Sequence, residues 1–265
     1  MTATLDPANL VAAPIRPAPP VTSSITGPAL EPDDDSPYWQ FYAAVAAAQL
    51  AEWLPVQPGR ILDLSGGRVS ATEQLVAAGH EVLDVRPGAD VGSRAPWCVA
   101  ADTRSLTWLR DASVDAVLAE GNTLSLCLAA EVAVEGLLRV LRPGGQLLLV
   151  VDSLLLGLAR LADQERWAEL ADVPSADVVL VPERSGQITR CFWPEELDAL
   201  LTGAGFAVDW IRPRSVLAPA AVERALRAGH PGVLTTLVQT ETALARAREG
   251  ASTGLHLVAS ARKQA

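Results

Sequence analysis

Apolar residues recur along this chain with two different periods, and where the period changes predicts where one element gives way to the next. YWQFYAAVAAAQLAEWL (38–54) places aromatic and aliphatic residues at helical spacing, with Ser36 as a cap, Pro37 in the first turn and Pro55 beyond the end. RILDL (60–64) reads as a short strand that runs into the turn SGGRVS. SATEQLVAAG (70–79) follows as a helix that Ser70 or Thr72 caps and Gly79 stops. HEVLDV (80–85), WCVAAD (97–102) and VDAVLAE (114–120) read as three further strands, apolar in the middle and polar at or near the end. AAEVAVEGLLRVL (129–141) is a helix halted by Arg142-Pro143-Gly144-Gly145, and QLLLVVD (146–152) is apolar enough to be a central strand covered on both faces.

Beyond that strand the rhythm changes. SLLLGLARLADQERWAEL (153–170) predicts one long amphipathic helix, and ADVVLV with GQITRCF predicts an antiparallel hairpin around Glu183-Arg184-Ser185-Gly186. PEELDALLTGAGF starts a helix at Pro194 and stops it at Gly203 or Gly205, ahead of FAVDWI as a sixth strand. Residues 212–254 hold two more helices, and LHLVASA (255–261) is a seventh strand. Strands alternating with helices imply an α/β fold with a parallel sheet and right-handed crossovers.

Composition narrows the picture at both ends of the chain. Residues 1–35 are rich in Pro, Ala, Thr and Ser and close in an acidic run, too poor in large apolar groups to offset the entropy of ordering, so a disordered tail is expected there. Residues 36–265 are expected to form one domain, with lid-type insertions near 172–193 and 212–254. The 31 acidic and 21 basic residues give a net charge of −10, which repels phosphate backbones and anionic lipid heads, so neither nucleic acid nor a membrane is an expected partner. Arg139, Arg142, Asp152 and Arg160 break the leucine-rich stretch short of a spanning length. The 3 cysteines and 3 histidines are scattered without metal-ligand spacing. With no targeting signal in the first residues, a cytoplasmic protein without a bound metal is expected.

The turn after the first strand carries the candidate chemistry. A strand that ends at a sheet's carboxyl edge and feeds a helix leaves backbone N–H groups facing open space, and Gly66 and Gly67 let a ligand approach them. The order of elements resembles the class I S-adenosylmethionine-dependent methyltransferases over roughly residues 37–261. RILDLSGG, GHEVLDV, AAD at 100–102, VDAVLAEGNTLSL, LLRVLRPGGQLLLVV and CFWPEELDALLTGAGF carry the likeness. The resemblance implies a Rossmann-like seven-stranded, mostly parallel sheet with helices on both faces and the last strand antiparallel. It implies S-adenosylmethionine as cofactor and a small-molecule acceptor methylated by in-line transfer.

Residue by residue, the resemblance implies a cofactor site of Asp63, Ser65, Gly66, Gly67, Asp84, Asp102, Thr103 and Glu120. Asp63 accepts hydrogen bonds within the turn or from the methionine ammonium. Asp102 meets the adenine amino group or caps a helix. The chain departs from the family's three alternate glycines, with Ser65, Gly67 and Val69 at those places, and it has Arg86 where the family puts a ribose-binding acid. Asp84, two residues earlier and on the same face, either takes over that role or pairs with Arg86. For a base the candidates are Glu120, His230 and His256, the last brought to the active edge by an antiparallel final strand; His80 falls on the opposite edge. Tyr38, Tyr42 and Asn122 are the acceptor-side candidates, although the aromatic cluster of the leading helix equally suits docking onto the core. The competing reading is a methyltransferase-like protein that binds or regulates without catalysis. A nicotinamide oxidoreductase needs GxGxxG, which SGGRVS lacks.

Overall fold

The computed structural model of the protein describes residues 32–65, 71–86, 97–183 and 186–264. The sheet strands are β1 (Arg60–Asp63), β2 (Glu81–Arg86), β3 (Trp97–Ala100), β4 (Val114–Ala119), β5 (Leu141–Asp152), β8 (Phe206–Arg214) and β9 (His256–Lys263). They lie side by side in the order β3-β2-β1-β4-β5-β9-β8. Pairings from β3 through β5 are parallel, and β9 runs antiparallel to both β5 and β8. The expected seven-stranded, mostly parallel sheet with an antiparallel last strand is present.

Alternation along β5 assembles the two faces of the core. Leu147, Leu149 and Val151 point to one side, where Val134 and Leu137 of α3 (Ala130–Val140) and Leu197 and Leu201 of α6 (Pro194–Ala204) cover them. Leu148 and Val150 point to the other, against Leu50 and Trp53 of α1 (Tyr38–Trp53) and Leu75 of α2 (Thr72–Ala77). Every residue from Leu147 to Asp152 is buried, as a strand covered on both faces requires. The α6 helix opens on Pro194 and closes on Gly205 at φ 107°, the left-handed stop that a glycine supplies.

The first half of α1 does something different. Tyr38, Phe41, Tyr42 and Val45 leave the sheet and join Val222 of α7 (Pro219–Arg227), with Leu234, Leu237 and Val238 of α8 (Val233–Ala247) packed alongside. Ser36 holds this end, its Oγ accepting the Tyr38 N–H at 3.2 Å and donating to Glu223 at 3.0 Å. A second, two-stranded sheet of β6 (Val179–Pro182) and β7 (Ile188–Cys191) is antiparallel, as expected.

Two expectations need correction. The single helix expected over 153–170 is two, α4 (Leu154–Asp163) and α5 (Trp167–Asp172), because Glu165 sits at φ 56° and turns the chain between them. The strand expected over 206–211 continues to Arg214. At the sheet's edge Pro213 needs no ladder partner on its outer side, so proline is tolerated and the strand goes on.

Leu148 has no exposed surface on this central strand, whereas Val56 is fully exposed. Leu148→Ala should lower unfolding free energy by about 2–5 kcal/mol, and Val56→Ala should leave it within about 0.5 kcal/mol; urea titrations of the two variants measure the difference.

Candidate functional site

Chain order along the sheet reverses between β1 and β4, and the carboxyl ends of the strands at such a reversal form a crevice in which ligands bind. Asp63, Arg86, Ala100 and Glu120 stand at or just beyond the ends of β1 to β4. Register extends this line, since His256 lies opposite Asp152 on one side and Arg214 on the other. The edge therefore has two halves, one over β1 to β3 and one over β4, β5, β9 and β8.

The first half holds an open cavity of about 860 Å³, lined by residues 100–104 after β3, Leu126 and Leu128 after β4, and Gly186, Gln187 and Ile188 of the hairpin. The hairpin is anchored where it forms this wall. Arg190 donates to Glu131 and Glu196, both at 2.8 Å, and lies over the Phe192 ring. Asp102 and Thr103 line the cavity as expected, but Asp102 already accepts from the Arg104 side chain at 3.0 and 3.1 Å and from its N–H at 2.9 Å. That hydrogen-bonding holds the Asp102 carboxyl below its ordinary pKa. Asp84 likewise accepts from Arg86 Nε at 2.9 Å. Gly66, Gly67, Val69 and Ser70 lie outside the described residues.

Asp63 is buried at the tip of β1, and its carboxylate is engaged by its own turn. Oδ1 accepts the Ser65 N–H at 3.0 Å and Oδ2 accepts the Thr72 hydroxyl at 3.1 Å. Thr72 thus ties α2 to β1 instead of capping the helix. Burial pushes the Asp63 carboxyl above its ordinary pKa despite these bonds. The turn is also pressed against the loop after β4, where a Cβ on Gly121 would sit 2.1 Å from the Ser65 carbonyl oxygen, so only glycine fits.

In the second half the crevice is filled by the chain's own polar groups. Arg214 reaches from β8 to Glu120, its Nη1 and Nη2 donating to the two carboxylate oxygens at 2.6 and 2.8 Å. Its Nε donates to Gln49 Oε1 at 2.6 Å, and Nη1 also approaches Tyr42 Oη at 3.4 Å. Both charged side chains are almost wholly buried, 1 % and 2 % exposed. Beside this pair, Asp152 accepts from Asn122 Nδ2 at 2.6 Å and Arg160 Nη1 at 2.7 Å. His256 Nε2 stands 3.7 Å from Asp152 Oδ1, while its Nδ1 lies 3.5 Å from Ser215 Oγ, which accepts from Tyr38 Oη at 2.7 Å. Burial raises the pKa of both Tyr38 and Tyr42, so each is a neutral phenol.

The edge thus gathers Glu120, Asn122, Tyr38, Tyr42 and His256 in one network and leaves out His230, which is exposed between α7 and α8. Glu120 meets Arg214 rather than open space, so the base role expected of it has both oxygens already committed. Tyr38 and Tyr42 are packed in the α1–α7–α8 cluster, the docking alternative, while their hydroxyls reach the network. Arg214, Gln49, Asp152, Arg160 and Ser215 were not among the sequence candidates. The one signal for Arg214 was a cation directly after proline at the end of an apolar strand. Among the described residues no group of three or more His, Cys, Asp or Glu is placed to hold a metal ion, and no helix is long and apolar enough to cross a membrane.

The raised pKa of Asp63 sets the sign of a pH effect. Between the ordinary carboxylate pKa and the raised one, the folded protein binds more protons than the unfolded chain, so this group removes stability as pH rises. Asp63→Asn keeps an acceptor for the Ser65 N–H and carries no charge. Its urea midpoint relative to wild type should climb as pH rises from about 4, the ordinary carboxylate pKa; a difference that is flat or falls as pH rises would contradict the assignment.

Residues 62–149 match the family described as a methyltransferase domain. No curated protein matches the sequence. Among solved structures, the Burkholderia thailandensis 1,6-didemethyltoxoflavin-N1-methyltransferase, with its substrate and S-adenosylhomocysteine bound, is 19 % identical with a TM-score of 0.51, covering 87 % of this chain and 80 % of that one. A Thermotoga maritima S-adenosylmethionine-dependent methyltransferase is 18 % identical with a TM-score of 0.53, covering 86 % of this chain and 92 % of that one. The [4+2]-cyclase SpnF is 19 % identical with a TM-score of 0.51, covering 83 % and 81 %. These likenesses share the fold, and the match to the methyltransferase domain family runs from β1 into β5.

Proposed function

We propose that the protein binds S-adenosylmethionine along the carboxyl edge of β1 to β4 and methylates a small molecule over β4, β5 and β9. The observation that carries this reading is the cavity of about 860 Å³ between the loops after β3 and β4, within the range of small-molecule sites and lined by Asp102 and Thr103. Asp102, half exposed at its rim, is free to exchange Arg104 for an adenine amino group. Leu126, Leu128 and Ile188 offer apolar surface to a base, and the hairpin shields the outer side. The likeness in fold to the Burkholderia and Thermotoga methyltransferases supports the same reading.

When bound, the cofactor supplies an electrophilic methyl group; the protein has to align the acceptor, exclude water and, for a protonated acceptor, take up a proton. Of the three base candidates, His256 is the one the network favours. Its Nε2 lies 3.7 Å from Asp152 and its Nδ1 3.5 Å from Ser215 Oγ, so a proton taken up on the ring would have a carboxylate nearby. His230 is remote from this edge and Glu120 is held by Arg214.

A second reading, a methyltransferase fold that binds without catalysing, is favoured by one observation: Asp63, Asp84, Asp102 and Glu120 all have partners within the chain. Calorimetric titration with S-adenosylhomocysteine separates the two readings. Saturable binding is expected, with Ala101→Trp, which fills the cavity, weakening it by about tenfold or more. A flat titration of folded wild-type protein would sink the enzymatic reading.

A further inference from the structure

The pair of Arg214 and Glu120 is unbalanced in one respect, its supply of hydrogen-bond donors. A guanidinium carries five N–H groups, and those of Arg214 go to Gln49 Oε1, Tyr42 Oη and the two oxygens of Glu120, with one Nη2 hydrogen left over. Gln49 is buried, and its Oε1 is taken by Arg214 Nε, which leaves its Nε2 as the donor still to be placed. That amide nitrogen has no hydrogen-bond partner among the described residues. Leaving a donor dry and unpaired costs free energy, and native interiors do it seldom. The group therefore marks a place where an acceptor atom belongs.

Charge points the same way. Glu120 and Arg214 sum to zero, so the pair offsets none of the positive charge that a sulfonium carries. An anion arriving at the guanidinium would bring four charges, two of each sign, to neutrality and would free Glu120 to face the cation. The fork itself is filled, so entry means exchanging one carboxylate for another on the same two N–H groups, a bidentate geometry that arginine favours.

We propose that the methyl acceptor bears a carboxylate, which Arg214 recognises by exchange with Glu120, the Gln49 amide donating to it alongside. This rests on the methyltransferase reading and deepens it by naming the acceptor's class. Arg214 acts as a specificity residue that binds the acceptor, while Glu120 is a placeholder for its acid group.

The test removes the placeholder. Glu120→Gln leaves the buried guanidinium without its counter-charge, and acetate or benzoate should then restore what was lost. A saturable rise in melting temperature of about 5 °C is expected, absent with acetamide, benzamide or chloride at equal ionic strength. Arg214→Met in the same chain should abolish the rescue, and Gln49→Leu should weaken it about tenfold, the equivalent of one lost hydrogen bond to a charged group. If Glu120→Gln does not fold in chloride, refolding yield in benzoate against benzamide is the readout. Absence of carboxylate-selective rescue in either form overturns the proposal, as does rescue that survives Arg214→Met. The experiment needs no cofactor. Rescue alongside a flat S-adenosylhomocysteine titration would leave an anion site and overturn its assignment to a methyl acceptor, whereas saturable cofactor binding without rescue would overturn the anion site alone.

Discussion

The half of this edge over β4, β5, β9 and β8 depends on one buried contact, the bidentate bond between Glu120 and Arg214. With two strands between β4 and β8, at a spacing near 4.8 Å per step, the partners start about 14 Å apart. Both side chains must extend across the tips of β5 and β9 to meet. That span explains the rest of the arrangement. At this edge β5 ends in Asp152 and β9 begins at His256, so polar residues lie beneath the pair. β8 has to run three residues past the end that its apolar pattern predicts, since only then does Arg214 reach the edge. Gly254 passes so close that a Cβ there would stand 2.4 Å from the Arg214 carbonyl oxygen, which fixes the strand end in place. Removing either charge from such a pair typically costs about 3–5 kcal/mol, because the other is left buried and alone.

The pairs over the first half are of a different kind. Asp84 meets Arg86 and Asp102 meets Arg104, in both cases two residues along the chain. Arg104 and Asp102 are each more than half exposed, and surface pairs of this sort contribute about 0–1 kcal/mol. The Asp102–Arg104 pair is therefore weakly held, whereas Asp84 and the deep pair over β4 and β8 are buried.

The seven strands of the sheet were legible, though not all of their ends, because each satisfies its own hydrophobic period. Pro194 and Gly205 bracket α6 without help from distant residues. Where the reading fell short, something non-local intervened. Nothing in QERW announces the break between α4 and α5, because the left-handed angle there falls on Glu165 and not on a glycine. Of the site, the acids at the strand ends were legible, but their partners mostly were not. Arg214 and Glu120 are 94 residues apart, and Gln49 lies 165 residues from Arg214. No periodicity relates such positions; only the crossing order of the sheet brings them together. Arg86 beside Asp84 could be read, because that pair is made within one strand.

The same distinction bears on the half-glycine turn after β1. Glycines there serve two ends, a close backbone approach for a ligand and a path for the chain itself. The second is met by other means. Asp63 ties the Ser65 N–H and the Thr72 hydroxyl to the end of β1, and the tight approach that the turn demands has moved across to Gly121 on the facing loop. The approach between the end of β1 and the loop after β4 is one of backbone to backbone, with Gly121 leaving room for the Ser65 carbonyl.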